Sequence, residues 1–505
     1  MFYLICIISP LVMCGPKSMR KLQSFLIHAV LLGIILPLPG VVFGQAGIQS
    51  EREKIVAIDP ALLNSATPGY AWEGAALLQD IRVIDGLGNR PVNGQDVLIA
   101  DGKIQALGKS GSLDVPANAK IIDGDGLTVM PGLMDAHIHL SSGWRGPNDN
   151  GNRPVYVKWQ LMNFLYAGVT QVYDIGNIPD VAGDTRDMVE AGVWMGPDIK
   201  IAGTYFETAE VGAPGYATLL PTNDPSHIGG KLDSMKNGYG VEMVKCHSGT
   251  NIQVLRAMVA AAHERGMRVV CDLWQNNGDP WIANVTKLDG YAHNMFMTTT
   301  PTQNDADMLK ELGTFIIATT VMLDTIGGYR TENDGDFITG NSLIEDVNPP
   351  HWTAQALGQE GADSANRYMG VFDAVMGDQR SMDQYRSDAF TWTKMLVDNG
   401  NLVGIGTDTP YLNNWSGESV HREMELWVNS IGISPLRTIQ SATSENAKIL
   451  KVDDRTGSIQ VGLEGDLLVV EGNPARNISD TRNIRYVFNN GKLVDRESLT
   501  RQWHQ

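Results

Sequence analysis

Five residues spread from His137 to Asp408 could hold and use a divalent cation. His137 and His139 stand in the apolar run MPGLMDAHIHL. On an extended strand alternate residues share a face, so the two imidazoles would point the same way, about 6.6 Å apart. Paired imidazoles suit a divalent metal such as zinc, although a lone H-x-H is too short a motif to stand by itself. Lys245 ends a second apolar run, VEMVK, where a buried ammonium would be costly. The neutral amine can add carbon dioxide to give a carbamate, an anion able to bridge two cations. His293 closes the short run GYAHN, and Asp408 follows the strand-like LVGIG in GIGTDTP.

These residues need elements to carry them. VTQVYDIG (169–176), VEMVKCHSG (241–249), MRVVCDLW (267–274), TFIIATTVML (314–323) and LVGIGTDTP (402–410) are apolar strand candidates, and helical patterns at 252–265 and 382–399 stand among them. Strands alternating with helices predict an α/β fold with a parallel sheet. About 300 residues with this period fit a (β/α)8 TIM-type barrel, whose chemistry gathers at the C-terminal ends of the strands. The flanks differ. AALLQDIRVID, DVLIADGKIQALG and AKIIDGDGLTVM before it, and GDLLVVEGNP and IRYVFNNGKLVD after it, are short strands joined by DG and NNG turns. The two chain ends are therefore expected to form one small β-sandwich domain, residues 74–130 and 449–505, around a barrel at 131–448. Residues 45–73 form a lead segment. Residues 324–378 are a long Gly-, Asp- and Asn-rich loop, the kind that usually serves function.

Composition narrows the function. The chain has 505 residues, 43% hydrophobic and 19% charged, with a net charge of −18. That balance is globular, and it lacks the basic footprint of a nucleic-acid binder. Residues 1–44 carry no acid and three cations, Lys17, Arg20 and Lys21. From Met19 the basic start, apolar stretch and small residues follow the order of a secretory signal, with cleavage near Gly44–Gln45 and either Met1 or Met19 as the start. An uncleaved anchor at Phe25–Phe43 is the alternative reading, and Pro37 and Pro39 weigh against it. Removal of the signal leaves 36 cations against 57 acids, a net of −21. No later apolar run approaches 18 residues, so a secreted or periplasmic protein without stable membrane insertion is expected. Two cysteines remain, Cys246 and Cys271, and buried reduced thiols are preferred to a disulfide.

The ordered series H-x-H, VK, His and GTD between β-rich ends resembles the amidohydrolase superfamily, and within it the imidazolonepropionase-related and Xaa-Pro dipeptidase-like hydrolases. The likeness spans about residues 74–495 and includes LMNFLYAGVTQVYDIG, AHERGMRVV and SATSENAKIL through GSIQVGLEGDLLVVEGNP. It implies that His137 and His139 bind the more buried metal and that a carboxylated Lys245 bridges to a second. His293 would bind the second metal. Asp408 would touch the metal and take the proton from the attacking water. Zinc is the implied cofactor, as two ions or one. The family has a histidine where this chain has Asp272, six residues beyond Gly266. Three readings stay open: Asp272 as an anionic ligand, a weak or empty second site, or Cys271 as a thiolate ligand. An aspartate removes one unit of positive charge relative to histidine, so a less acidic water and a preference for harder ions would follow.

His247, just past Lys245, and the loop residues Arg145 and Arg330 are candidates for substrate contact, the arginines as bidentate carboxylate partners. Trp144, Tyr329 and Trp352 could line an apolar pocket, and the bland alternative for each is an ordinary loop side chain. His263 fits a structural role. His421 and Asp174 divide between structural and site roles. The resulting expectation is metal-dependent hydrolysis of an amide or peptide-like C–N bond in a small molecule such as a dipeptide, N-acyl amino acid or cyclic amide. A lactone or ester hydrolase on the same site, and an impaired member that only binds small molecules, are the alternatives.

Overall fold

The computed structural model describes residues 69–140, 153–177, 179–207, 219–221, 225–246, 252–272, 279–294, 300–326, 338–350, 353–354, 381–410 and 414–500. The signal, most of the lead segment, and Trp144, Arg145, His247, Tyr329, Arg330 and Trp352 lie outside the described residues. The N-terminal strands are β1 (Tyr70–Trp72), β2 (Ala76–Val83), β3 (Val92–Ala100), β4 (Lys103–Lys109), β5 (Lys120–Asp123) and β6 (Leu127–Pro131). Parallel strands follow: β7 (Leu133–Ile138), β8 (Val169–Asp174), β9 (Asp198–Ile201), β10 (Tyr205–Glu207), β11 (Leu219–Pro221), β12 (Met243–Cys246), β13 (Arg268–Asp272), β14 (Gly290–Ala292), β15 (Phe315–Ala318) and β16 (Val403–Ile405). The C-terminal strands are β17 (Leu467–Glu471), β18 (Ile484–Asn489) and β19 (Lys492–Val494).

Both chain ends build one nine-stranded sheet, in which β17 lies between β18 and β6 and is antiparallel to each. Two of its hairpins are the ones the DG and NNG turns forecast. Asp101 and Gly102 have φ of 51° and 78°, and Asn490 and Gly491 have 53° and 74°, the left-handed pair that a two-residue type I′ turn requires. Leu78, Ile81, Val97, Val129, Leu467 and Phe488 form a separate buried cluster on this sheet. β1 falls inside the segment taken as a lead, because Tyr70 and Trp72 pair with Val494 and Leu493.

The parallel strands form sheets in the order β7-β8-β9 and β11-β10-β12-β13-β14-β15-β16. Helices at Arg153–Tyr166, Pro179–Glu190, Ile228–Tyr239, Ile252–His263, Trp281–Thr286, Gln303–Leu312 and Met382–Asn399 alternate with them. This is an α/β fold of parallel strands, consistent with a TIM-type barrel. β16 reaches β7 through a parallel bridge at Ile138 and Thr409, where His139 N–H donates to the Thr409 carbonyl at 2.9 Å. Strand alternation sorts the side chains into two layers. Val244, Cys246, Val269, Cys271 and Ile316 pack with the helices. Met134, Ala136, Tyr173, Met243, Val270 and Phe315 pack together in a second cluster.

Two expectations change. The run TFIIATTVML is not one strand: β15 stops at Ala318 and a helix occupies Thr320–Ile326. The Glu423 carboxylate accepts the N–H groups of Thr320 (3.0 Å) and Val321 (2.5 Å), satisfying donors that a helix start leaves unpaired. The cysteines are also not separate thiols. Cys246 and Cys271 are register partners on β12 and β13, with Cα atoms 4.6 Å apart, and are joined as a disulfide. They belong to the helix-facing layer, which removes Cys271 as a metal ligand. The bridge closes a loop with a sequence separation of 25. Reduction, or replacement of both residues by Ser, is therefore expected to lower stability by about 3 kcal/mol in denaturant unfolding.

Candidate metal centre

The site starts from a fault in a strand. Between Asp135 and Ile138, β7 shifts register against β8, carrying one more residue than the partner segment Val172–Asp174. Such a bulge re-aims side chains. Here the rings of His137 and His139 stand edge to face with centroids 5.3 Å apart. Asp408 comes from the loop after β16, and its Oδ1 lies 3.3 Å from His137 Nε2 and 3.1 Å from His139 Nε2. Its backbone is left-handed, φ 58°, an uncommon state for a non-glycine residue, and its N–H is tied to the His137 carbonyl at 2.8 Å. Gly406 makes the approach possible, because a Cβ there would meet the Cβ of His137 at 2.5 Å.

Lys245 and Asp272 extend this group. Lys245 Nζ lies 3.3 Å from His137 Nε2 and 3.6 Å from Asp272 Oδ2. His293 Nε2 is 3.4 Å from the same carboxylate oxygen, and its ring centroid is 4.5 Å from that of His137. His293 also takes a positive φ, 83°, while its N–H donates to the Ile317 carbonyl and its Nδ1 meets Thr319 Oγ1 at 2.6 Å. The structure thus brings together the five residues of the series and Asp272, each at or just beyond the C-terminal end of a parallel strand. All are buried.

The charges favour a cation. Burial, followed by the neighbouring Lys245 charge, holds the His137 pKa well below its usual value, and burial lowers that of His139. Both rings are therefore neutral, with lone pairs to give. Burial opposes ionisation of Asp408, but the imidazoles of His137, His139 and His293 outweigh it and keep the group a carboxylate. One donor atom each from His137, His139 and Asp408 lies within 4.8 Å of the others. Two imidazoles and a carboxylate at that spacing fit a divalent metal such as zinc.

Several supporting residues were not legible in the sequence. Asp135 accepts the N–H of His137 (3.2 Å), the N–H of Thr407 (3.0 Å) and the Thr407 hydroxyl (2.6 Å), which fastens β7 to the loop carrying Asp408. Burial pushes its pKa up to about 8. Tyr205, Thr319 and the Gly176 carbonyl touch the histidine rings. Asp174 sits beside the site without touching a ring: it accepts from Asn177 at 2.5 Å and shapes the turn that contains Gly176. Asp135 stands two residues before His137, yet only the fold reveals its partner 272 positions away.

His263 and His421 have structural roles. His263 pairs with Asp289 at 2.9 Å. His421 is buried, with Nδ1 against Thr481 and Nε2 against the Ala167 carbonyl, both at 2.9 Å. Burial first and the Arg482 charge second lower its pKa to about 4, against smaller opposing effects of Glu425 and Glu418. Unfolding lets this ring gain a proton below about pH 6.5 that the native ring refuses. Its stabilisation is complete above that pH and is lost as pH falls toward 4. Melting temperatures across that window should fall less steeply in His421→Gln than in wild type.

Buried imidazoles and carboxylates gathered at the ends of parallel strands define a candidate metal site in an α/β fold. Residues 128–494 match the model of the amidohydrolase family, and the chain belongs to that family. Adenine deaminase 3 of Rhizobium johnstonii is 32% identical over 107 residues, 21% of this chain and 17% of that one. Enamidase of Eubacterium barkeri is 32% identical over 111 residues, 21% of this chain and 26% of that one. The chain thus aligns with about a quarter or less of each of these curated relatives. A Xaa-Pro dipeptidase crystallised with methionine in its active site superposes with a TM-score of 0.63, covering 83% of this chain and 99% of that one at 20% identity. That likeness concerns the fold.

Proposed function

We propose that the protein is a metal-dependent hydrolase of amide or peptide-like C–N bonds in small molecules, with Asp408 as the proton acceptor. The observation that carries this reading is the convergence of His137, His139 and Asp408 on one point, with Lys245, Asp272 and His293 beside it. His137, His139 and Asp408 would hold a first ion, Asp272 and His293 a second if two are bound, and Lys245, if carboxylated, would supply an anionic donor between the two groups. A cation bound there supplies Lewis acidity to a water and to the scissile carbonyl. Asp408 takes the proton of the attacking water and returns it to the leaving nitrogen. The site's burial excludes bulk water and strengthens each of these interactions. Arg145, Arg330 and His247 contact the substrate, the arginines through its carboxylate.

Two further parts of the reading rest on sequence. Residues 1–44 direct export, and the protein works outside the cytoplasm. The nine-stranded sheet forms a small sandwich-like domain beside a closed barrel. Among the described residues no helix is long and apolar enough to cross a membrane. The test is metal content together with turnover of dipeptides, N-acyl amino acids and lactones. Bound metal with C–N hydrolysis supports the proposal. Turnover of lactones alone replaces it with an ester hydrolase, and neither metal nor turnover leaves a binding protein.

A further inference from the structure

The ligand series draws on strands β7, β12 and β13, on His293 after β14 and on Asp408 after β16, but takes nothing from β10. One side chain of β10 nevertheless enters the site. Tyr205 is buried, and its hydroxyl lies 2.8 Å from His139 Nδ1 and 3.4 Å from His139 Nε2. The two rings meet at 67°. Space for the phenol is made on the facing strand end: a Cβ on Gly176 would overlap the Tyr205 ring. The carbonyl of that same Gly176 is 2.9 Å from His139 Nδ1. The residue that admits Tyr205 thus also supplies its companion contact.

We infer that Tyr205 is a positioning residue that holds His139 in its metal-binding orientation, and this rests on the metal-centre reading above. The Gly176 carbonyl can only accept, so the neutral ring carries its proton on Nδ1. Nε2, 3.1 Å from Asp408 Oδ1, then keeps its lone pair for a cation that the two residues would share. The Tyr205 oxygen accepts a share of the Nδ1 proton and fills the ring edge between the two nitrogens. A flipped imidazole would set Cδ2 against the Gly176 carbonyl and lose that hydrogen bond. Partners of this kind fix the tautomer and orientation of a ligating histidine. The phenol face also lies 5.2 Å from Lys245 Nζ, and the next residue, Phe206, pairs with Cys246. Tyr205 therefore walls both His139 and Lys245 on the β10 side.

The full chain is titrated with zinc against a chromophoric chelator, as wild type, Tyr205→Phe and Gly176→Ala. Tyr205→Phe keeps the ring wall and removes only the oxygen. It should bind zinc about 10- to 100-fold more weakly, with thermal unfolding of the metal-free chain unchanged. Gly176→Ala keeps the hydroxyl but displaces the ring, and it should weaken binding at least as much. Zinc affinity equal to wild type in either variant overturns the positioning role. A wild-type chain that takes up no zinc instead overturns the metal centre itself, so the two failures are distinct.

Discussion

Asp408→Asn should slow hydrolysis by about 10²- to 10⁴-fold, the usual contribution of a positioned general base. Asparagine keeps the side chain's size and one acceptor oxygen, so His137 and His139 retain a neighbour of the same shape. It cannot take a proton. Loss of the proton acceptor should affect kcat more than substrate binding. Steady-state kinetics with metal content measured on the same sample separates loss of base from loss of cation. Unimpaired kcat in a metal-replete Asp408→Asn enzyme would defeat the mechanism.

Asp272 carries the second large effect. Its Oδ2 lies 3.6 Å from Lys245 Nζ and 3.4 Å from His293 Nε2, at the position where the sequence departs from the histidine of the family it resembles. An oxygen donor shifts that position toward harder ions, and its charge lowers the net positive charge around the water. Asp272→Ala should lose the second ion, with roughly 100-fold weaker binding at that site, beyond what a supporting residue usually costs. Asp272→His should move the metal preference away from harder ions and toward zinc. Metal analysis and competition titrations read both effects. Two tight zinc ions per chain, undiminished in Asp272→Ala, would exclude a ligand role for this residue.

The candidate ligands were legible because each needs a particular chemistry at the end of an apolar run. H-x-H, VEMVK, GYAHN and GIGTD all end strands or follow them. The Cys246–Cys271 bond was not legible, because it depends on the register of two strands rather than on either alone. Tyr205 was missed for a similar reason. The segment DIKIAGTYFE carries no residue that marks a metal site, and β9 and β10 are too short to stand out by period. The helix at 320–326 was hidden inside an apolar run, since its start is set by Glu423, about a hundred residues away (a separation of 103 for Thr320).

The shared sheet has a consequence for how the chain is made. β6 pairs with β17, and the Thr128 hydroxyl donates to the Gly472 carbonyl across 344 residues. During synthesis the N-terminal strands emerge first but stay without that partner until the parallel strands and their helices have been made. Until then one flank of β6 is an open strand edge beside an apolar cluster, which invites pairing with other chains. Contacts of such long range also form slowly. The final strands therefore act as a closing clasp, and a chain cut short before Leu467 would keep every metal ligand yet leave its first strands searching for a neighbour.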